Sequence, residues 1–322
     1  MFFMTMLEVK NLNIAFACDD EVLSVVKNVS FSLEKGKLLG IVGESGCGKS
    51  VTLMSVLRLL PKNALINAEY INFNGQNLLT FSEERLQTVR GNKIALIPQD
   101  PLTSLNPLYT VGDQIMEVIM LHQKVDKKHA RALAIEALRQ VNIPEPDKRI
   151  DEYPHQFSGG MCQRVIIAMA LSCHPDLIIA DEPTTALDVT VQAQIMKLFK
   201  EIQQKMGTSI ILVTHDLALI SEVADEVIVM YSGEIAEQAP ADVFFSNPKH
   251  PYSKGLLASL PKADEDRLCV IEGQPPSIRD RISGCKFHPR CPFAFDRCKV
   301  EAPILEFLDD GHGVSCWLYA KR

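Results

Sequence analysis

The sequence predicts an α/β fold: a core built around a phosphate-binding loop (P-loop), joined to an antiparallel β subdomain, a helical insert and a small irregular C-terminal domain. Three observations lead there. Short apolar runs recur along the chain and end in polar residues (KIALIPQ, DLIIADEP, SIILVTHD, DEVIVMY), as buried strands of a parallel sheet do when functional groups gather at their carboxyl ends. Another such run, LLGIV, opens into a glycine-rich turn followed at once by a helical pattern. Between residues 101 and 171 the apolar spacing turns helical and interrupts the strand-rich pattern on either side.

The elements follow in order. LEVKNLNIAF and VKNVSFSL alternate apolar and polar residues, as antiparallel strands with one wet face do. They lead into LGIVGESGCGKSVTLMSVLRLL, residues 39–60. Glycines in such a turn cost backbone entropy unless something must approach the backbone closely. The pattern GxxxxGK(S/T) is met by Gly43, Glu44, Ser45, Gly46, Cys47, Gly48, Lys49 and Ser50. Loop N–H groups of this kind wrap phosphates, and the following helix aims its positive end at the same anion. Lys49 would reach the β- and γ-phosphates and Ser50 would ligate Mg²⁺. Chance would produce the motif in about one chain in a hundred of this length, and a buried strand before it and a helix after it make the match specific for a nucleoside triphosphate. In the insert, ARALAIEALRQVN places Leu133, Ala134, Ala137, Leu138 and Val141 on one helix face. After residue 240 strands are expected to cease, prolines accumulate, and NPKHPYSKGLLASLPK opens a separate tail. The expected division is 1–98 (antiparallel β and the first part of the P-loop core), 99–171 (helical), 172–240 (second part of the core) and 241–322 (tail).

The chain has 322 residues with 33 basic against 40 acidic side chains, a net charge of −7. That balance disfavours a strongly electrostatic nucleic-acid partner. No apolar run approaches the roughly eighteen residues a spanning helix needs. The start, MFFMTMLEVK, lacks a basic n-region and meets Glu8 too soon for a signal peptide, so a cytoplasmic location is expected. Nine cysteines in such a reducing compartment do not suggest a disulfide framework.

Several further residues carry chemistry in combination. Asp181 ends the run LIIAD and is placed to hold Mg²⁺ beside Ser50; Glu182 follows, where it could polarise an attacking water. Alone, such a pair is often a solvated turn, but the phosphate loop favours the catalytic reading. Gln99 ends KIALIPQ and could touch Mg²⁺ or water, and His215 ends LVTH and could hydrogen-bond a γ-phosphate; in isolation each would be an ordinary surface or structural residue. Ser158, Gly159 and Gly160 open a second helix with bare glycines at its N-terminus, a second anion site or else a flexible cap. One nucleotide needs two such sites only if one of them serves a neighbouring chain. Cys285, Cys291, Cys298 and Cys316 crowd the tail without a CxxC pair. Structural zinc usually shows tighter pairs, iron–sulfur clusters also take four thiolates, and the spacing leaves open that no metal binds at all.

In order and spacing, these motifs resemble the ATP-binding subunits of ABC transporters, from about residue 7 to residue 238. The resemblance implies a RecA-like P-loop core. It makes residues 43–50 the Walker A loop, with Val51 beside them, Gln99 the Q-loop and residues 157–161 the signature motif. Asp181 and Glu182 become Walker B and its catalytic glutamate, residues 186–188 with Asp188 the D-loop, and His215 the switch histidine. Phe16 sits where the family stacks an aromatic ring on adenine. YPHQFSGGMCQRV, DPLTSLNP and the tail are similar to the peptide-importer branch, closest to dipeptide and oligopeptide members, with nickel importers sharing much of it. Met161 stands for the general Gln, as is usual in this branch; Cys47 stands for a commoner Ser at a position that offers mainly backbone; Phe157 stands for Leu and keeps the apolar contact.

The resemblance implies ATP and Mg²⁺ as cofactors and a 4Fe–4S cluster on the tail cysteines. It also implies a second ATPase subunit, a related but different chain; two membrane permease subunits; a solute-binding protein acting indirectly; and peripheral placement on the cytoplasmic face of the inner membrane. A soluble ABC ATPase of nucleic-acid repair or translation usually fuses two ATPase units, and this chain has one phosphate loop. A regulatory module that holds ATP without hydrolysing it would not need Glu182 and His215.

Overall fold

The computed structural model describes residues 5–18, 21–185, 187–260, 271–308 and 311–320. They form two compact units: residues 1–79 with 213–322, and residues 80–212.

In the first unit, the two alternating segments form the long antiparallel strands Thr5–Cys18 and Glu21–Glu34, and Ala64–Asn67 and Tyr70–Phe73 pair on the far side of Thr5–Cys18. The apolar alternation Leu7, Val9 slips by one residue to Leu12, Ile14, and all four are buried. A β-bulge absorbs the slip between Val9 and Leu12, where Asn11 takes a left-handed φ of 51° that Asn tolerates better than most residues. LLGIV is the wholly buried strand Leu38–Val42, paired in parallel with Glu226–Tyr231. Glu226–Tyr231 then pairs antiparallel with Glu234–Pro240. Strands do not cease after residue 240, contrary to the sequence expectation: Gly313–Val314 pairs with Glu234–Pro240, and Glu306–Phe307 with Gly313–Val314. Two residues are too few to show alternation.

The second unit holds the parallel pair Ile94–Ile97 and Leu177–Asp181, with Ser209–Val213 on the other side of Leu177–Asp181. Its helices Val111–Gln123, Lys127–Gln140 and Gly159–Leu171 are the expected helical insert. Thr110, Asp126 and Ser158 cap them, each side chain accepting a first-turn N–H. Of the face foreseen for the second helix, Ala134, Ala137, Leu138 and Val141 are buried and Leu133 is half-buried.

Candidate nucleotide site

The phosphate loop is the turn between strand Leu38–Val42 and helix Lys49–Val56. Its glycines are there for conformation: Gly43, Gly46 and Gly48 have φ of 150°, 79° and 104°, a region that side chains avoid. At Gly43 space is also short, since a Cβ would lie 2.3 Å from the Met230 carbonyl. Lys49 is buried, and its ammonium donates to the Gly43 and Glu44 carbonyls at 2.7 and 3.0 Å, holding the loop closed on itself. Cys47 turns its thiol inward, where burial raises its pKa, and its carbonyl accepts the Gly233 N–H at 2.9 Å. Ser45 and Gly46 are exposed at the tip, and Ser50 and Val51 are half-buried on the first turn of the helix.

Phe16 lies in the same unit, half-buried on Thr5–Cys18, paired with Leu23 on one side and Ala64 on the other. His215 is exposed after Thr214, whose N–H donates to the Ile41 carbonyl at 3.3 Å. Asp216 then caps helix Leu217–Val223 by accepting the Ala218 and Leu219 N–H groups.

The second unit brings Gln99 and Glu182 together. Gln99 Nε2 donates to Glu182 Oε2 at 3.2 Å, and the Thr185 hydroxyl donates to the same oxygen at 3.0 Å. Thr185 was not legible as a site residue in the sequence. Asp181 is buried at the end of its strand, and Glu182 takes φ 45°, strained for a residue with a side chain. Backbone strain of this kind collects where a side chain must be aimed rather than packed. Ser158 is exposed and caps helix Gly159–Leu171 through its Oγ, which accepts the Met161 N–H at 3.4 Å. A Cβ at Gly160 would meet Val191 Cγ1 at 2.6 Å, whereas one at Gly159 would meet only Leu187 at an ordinary 3.7 Å. Asp188 caps helix Val189–Met206 by accepting the Val191 N–H at 3.0 Å. Ala186, the first residue of the expected D-loop, lies outside the described residues.

The four tail cysteines converge on one space, which their spacing did not reveal. Cys285, Cys291, Cys298 and Cys316 are all free thiols and line one small space with Phe287, Phe293 and Trp317. Burial pushes the Cys285 and Cys316 thiols up to about 11, and neighbouring cysteines add to it. Gly284, with φ 64°, lets the chain pass where a Cβ would lie 2.3 Å from the Cys298 carbonyl, and the Cys285 N–H donates to that carbonyl at 2.9 Å. Among the described residues, no group of three or more His, Cys, Asp and Glu is arranged to hold a metal ion.

Residues 26–185 match the family model described as ABC transporter, and residues 236–298 match that of the oligopeptide/dipeptide transporter C-terminal region. The chain is 48% identical to the dipeptide transport ATP-binding protein DppD of Escherichia coli (strain K12), over 97% of this chain and 96% of that one. This chain belongs to the ABC transporter family. It carries that family's ATPase cassette. The oligopeptide transport ATP-binding protein OppD of Haemophilus influenzae is 46% identical, covering 98% of each chain. Among solved structures, the ATP-binding cassette MJ0796, dimeric in a post-hydrolysis state bound to ADP and Pi, is similar with a TM-score of 0.65 and 27% identity. That match covers 73% of this ABC chain and 99% of MJ0796.

Proposed function

We propose that this chain is the ATP-hydrolysing subunit of an importer for dipeptides or oligopeptides. The observation that carries the proposal is similarity along nearly the whole chain, C-terminal region included, to ATP-binding proteins of dipeptide and oligopeptide transport. Within it, Lys49 and the loop N–H groups of residues 43–51, that of Glu44 excepted, would hold the triphosphate and Phe16 the adenine; Ser50 in the first unit, and Asp181 and Gln99 in the second, are the candidate Mg²⁺ ligands. Glu182 polarises the attacking water, oriented by Gln99 and Thr185, and His215 contacts the γ-phosphate. Ser158, Gly159, Gly160 and Asp188 serve the nucleotide of a second ATPase subunit, a related chain, so that binding of ATP becomes closure of the pair. The helical segment 99–171 passes that closure to two membrane permease subunits, which a solute-binding protein supplies. No helix among the described residues is long and apolar enough to cross a membrane, and peripheral placement at the cytoplasmic face of the inner membrane follows from the proposed partners.

The cysteine-lined space supports a 4Fe–4S cluster. Four free thiols face one space walled by aromatic rings, and a cluster takes one thiolate on each of its four irons, a wider set than a single ion needs. Cys285, Cys291, Cys298 and Cys316 would hold it, giving up their protons as ligands do. The group would supply cross-linking energy to a segment poor in regular structure. Protein purified without oxygen should be brown with about four irons per chain; a colourless protein holding one zinc would replace the cluster with a zinc clip.

Purification through a tag on this chain tests the transport reading. Two permeases, a related ATPase and a solute-binding protein among the companions support it. Companions drawn from nucleic-acid repair or translation contradict it.

A further inference from the structure

Glu44 is the only acidic residue of the phosphate loop, and residues far along the chain hold it. Arg290 grips its carboxylate with two parallel hydrogen bonds, Nη1 to Oε2 at 2.7 Å and Nη2 to Oε1 at 3.0 Å. Such a fork fixes orientation as well as charge. The Arg290 side chain is only 5% exposed, and two further bonds fix its own position: Nη1 to the Tyr231 hydroxyl at 3.3 Å and Nε to the Glu272 carbonyl at 3.0 Å. The Glu44 N–H donates to the hydroxyl of Tyr252, a fully buried side chain, at 2.9 Å. The Glu44 carbonyl accepts from Lys49. Glu44 therefore spends its carboxylate and its N–H on residues beyond the core, and only its carbonyl on the loop.

These contacts reach the cysteine region directly. Arg290 closes the turn His288–Arg290 and precedes Cys291, whose own N–H donates to the His288 carbonyl. Tyr231, Tyr252 and Phe287 form one packed aromatic cluster behind the pair, with ring centroids 4.6 to 5.4 Å apart. Phe287 also lines the space that the four cysteines share.

We propose that Arg290 and Tyr252 are positioning residues for the phosphate loop, through which the cysteine-bearing tail sets how tightly this ATPase takes its nucleotide. The inference rests on the nucleotide-binding reading above and deepens it. Two physical effects act in the same direction. Arg290 neutralises a carboxylate that would otherwise stand in the loop meant for a polyanion. Arg290 and Tyr252 also hold the loop in shape before the nucleotide arrives, so that less ordering entropy is lost on binding. The tail is then not the separate appendage that the sequence suggests.

The test is equilibrium binding of Mg·ATP to the full chain, paired with the split between KM and kcat in the intact complex. Arg290→Ala should raise the ATP Kd and KM about tenfold, with kcat at saturating ATP within about twofold of wild type, the split expected when binding rather than chemistry is lost. Arg290→Lys, which keeps charge but not the fork, should recover part of the affinity, and Tyr252→Phe should raise Kd about threefold, the loss of one hydrogen bond. Adding Glu44→Gln to Arg290→Ala should restore part of the affinity by removing the unpaired charge, while the lost fork leaves the rest unrecovered. Cys291→Ser should also weaken ATP binding, and should add little in the Arg290→Ala background. An Arg290→Ala chain that binds ATP within twofold of wild type overturns the proposal. If Arg290→Ala does not fold, the Arg290→Lys cycle decides: Arg290→Lys should weaken ATP binding in the wild-type chain but not in the Glu44→Gln chain, and equal losses in both backgrounds overturn the proposal. Wild-type chain that binds no ATP, like Lys49→Ala, would overturn the nucleotide reading itself and the positioning role with it.

Discussion

Two glutamates, each set by a buried strand, are treated in opposite ways by this fold. Glu237 lies inside Glu234–Pro240, fully buried, and its carboxylate is saturated: it accepts the Lys249 and His250 N–H groups at 2.7 and 2.9 Å and lies 2.5 Å from His312 Nε2. Glu182 stands just past Leu177–Asp181, half-buried, in a left-handed backbone conformation, with Gln99 and Thr185 on one of its oxygens. The first arrangement ties the tail to the sheet of the core. The second holds a half-buried carboxylate in a strained backbone conformation beside Gln99 and Thr185. Burial with several hydrogen bonds fits a structural carboxylate at Glu237, and partial exposure beside Gln99 and Thr185 fits the catalytic role proposed for Glu182.

The comparison breaks most visibly at Glu182. Glu182→Gln should slow ATP turnover by about 10²–10⁴-fold, the typical cost of losing a positioned base. ATP affinity and thermal midpoint should stay near wild type, so a large loss of stability would move Glu182 into the class of Glu237. Next in size is Gly159→Asp, which sharpens the division of labour within the second unit. A charge at that helix start should abolish turnover of the paired ATPase while the isolated chain keeps its ATP affinity. Gly159 is a cleaner test than Gly160, where any side chain must first displace Val191. Loss of ATP binding by the isolated variant would assign the Ser158–Gly160 start to the chain's own nucleotide.

Glu237→Gln should do the reverse of Glu182→Gln. Removing a carboxylate oxygen that accepts buried hydrogen bonds leaves a buried donor unpaired, at a cost of about 1–3 kcal/mol, read as a lowered denaturation midpoint, with turnover per folded molecule little changed. A fall in turnover without a fall in stability would erase the distinction. The smallest effect is expected from Thr185→Val, which removes one hydrogen bond to Glu182 Oε2, an interaction with a net worth of about 1 kcal/mol. Turnover should fall several-fold with KM unchanged. A change in KM alone would place Thr185 in nucleotide binding instead.

What the sequence made legible, and what it did not, follows from the range of each interaction. The phosphate loop was readable because its chemistry is local: glycines with left-handed φ, a lysine and a helix start fall within eight consecutive residues. The helical insert showed because a face such as Ala134, Ala137, Leu138 and Val141 repeats within one segment. The grip of Arg290 on Glu44 spans 246 residues, and the contact of Glu237 with His312 spans 75, so no local pattern could announce either. The four cysteines were visible by type, yet their convergence on one space depends on the backbone turn at Gly284. Thr185 was hidden for another reason: a threonine three residues after a carboxylate has many ordinary uses. The short strand Gly313–Val314 forms because Glu234–Pro240 offers it an edge, and Glu306–Phe307 because Gly313–Val314 does in turn, not because their own residues demand it.

ATP hydrolysis by this chain is proposed to drive peptide uptake. The most direct measurement is ATP turnover by the complete complex, purified through a tag on this chain, with its solute-binding protein and with or without dipeptides or oligopeptides. Peptide should raise turnover in the wild-type complex and leave the Glu182→Gln complex flat. Turnover that ignores peptides but rises with nickel, or that responds only to nucleic acid, would contradict the claim.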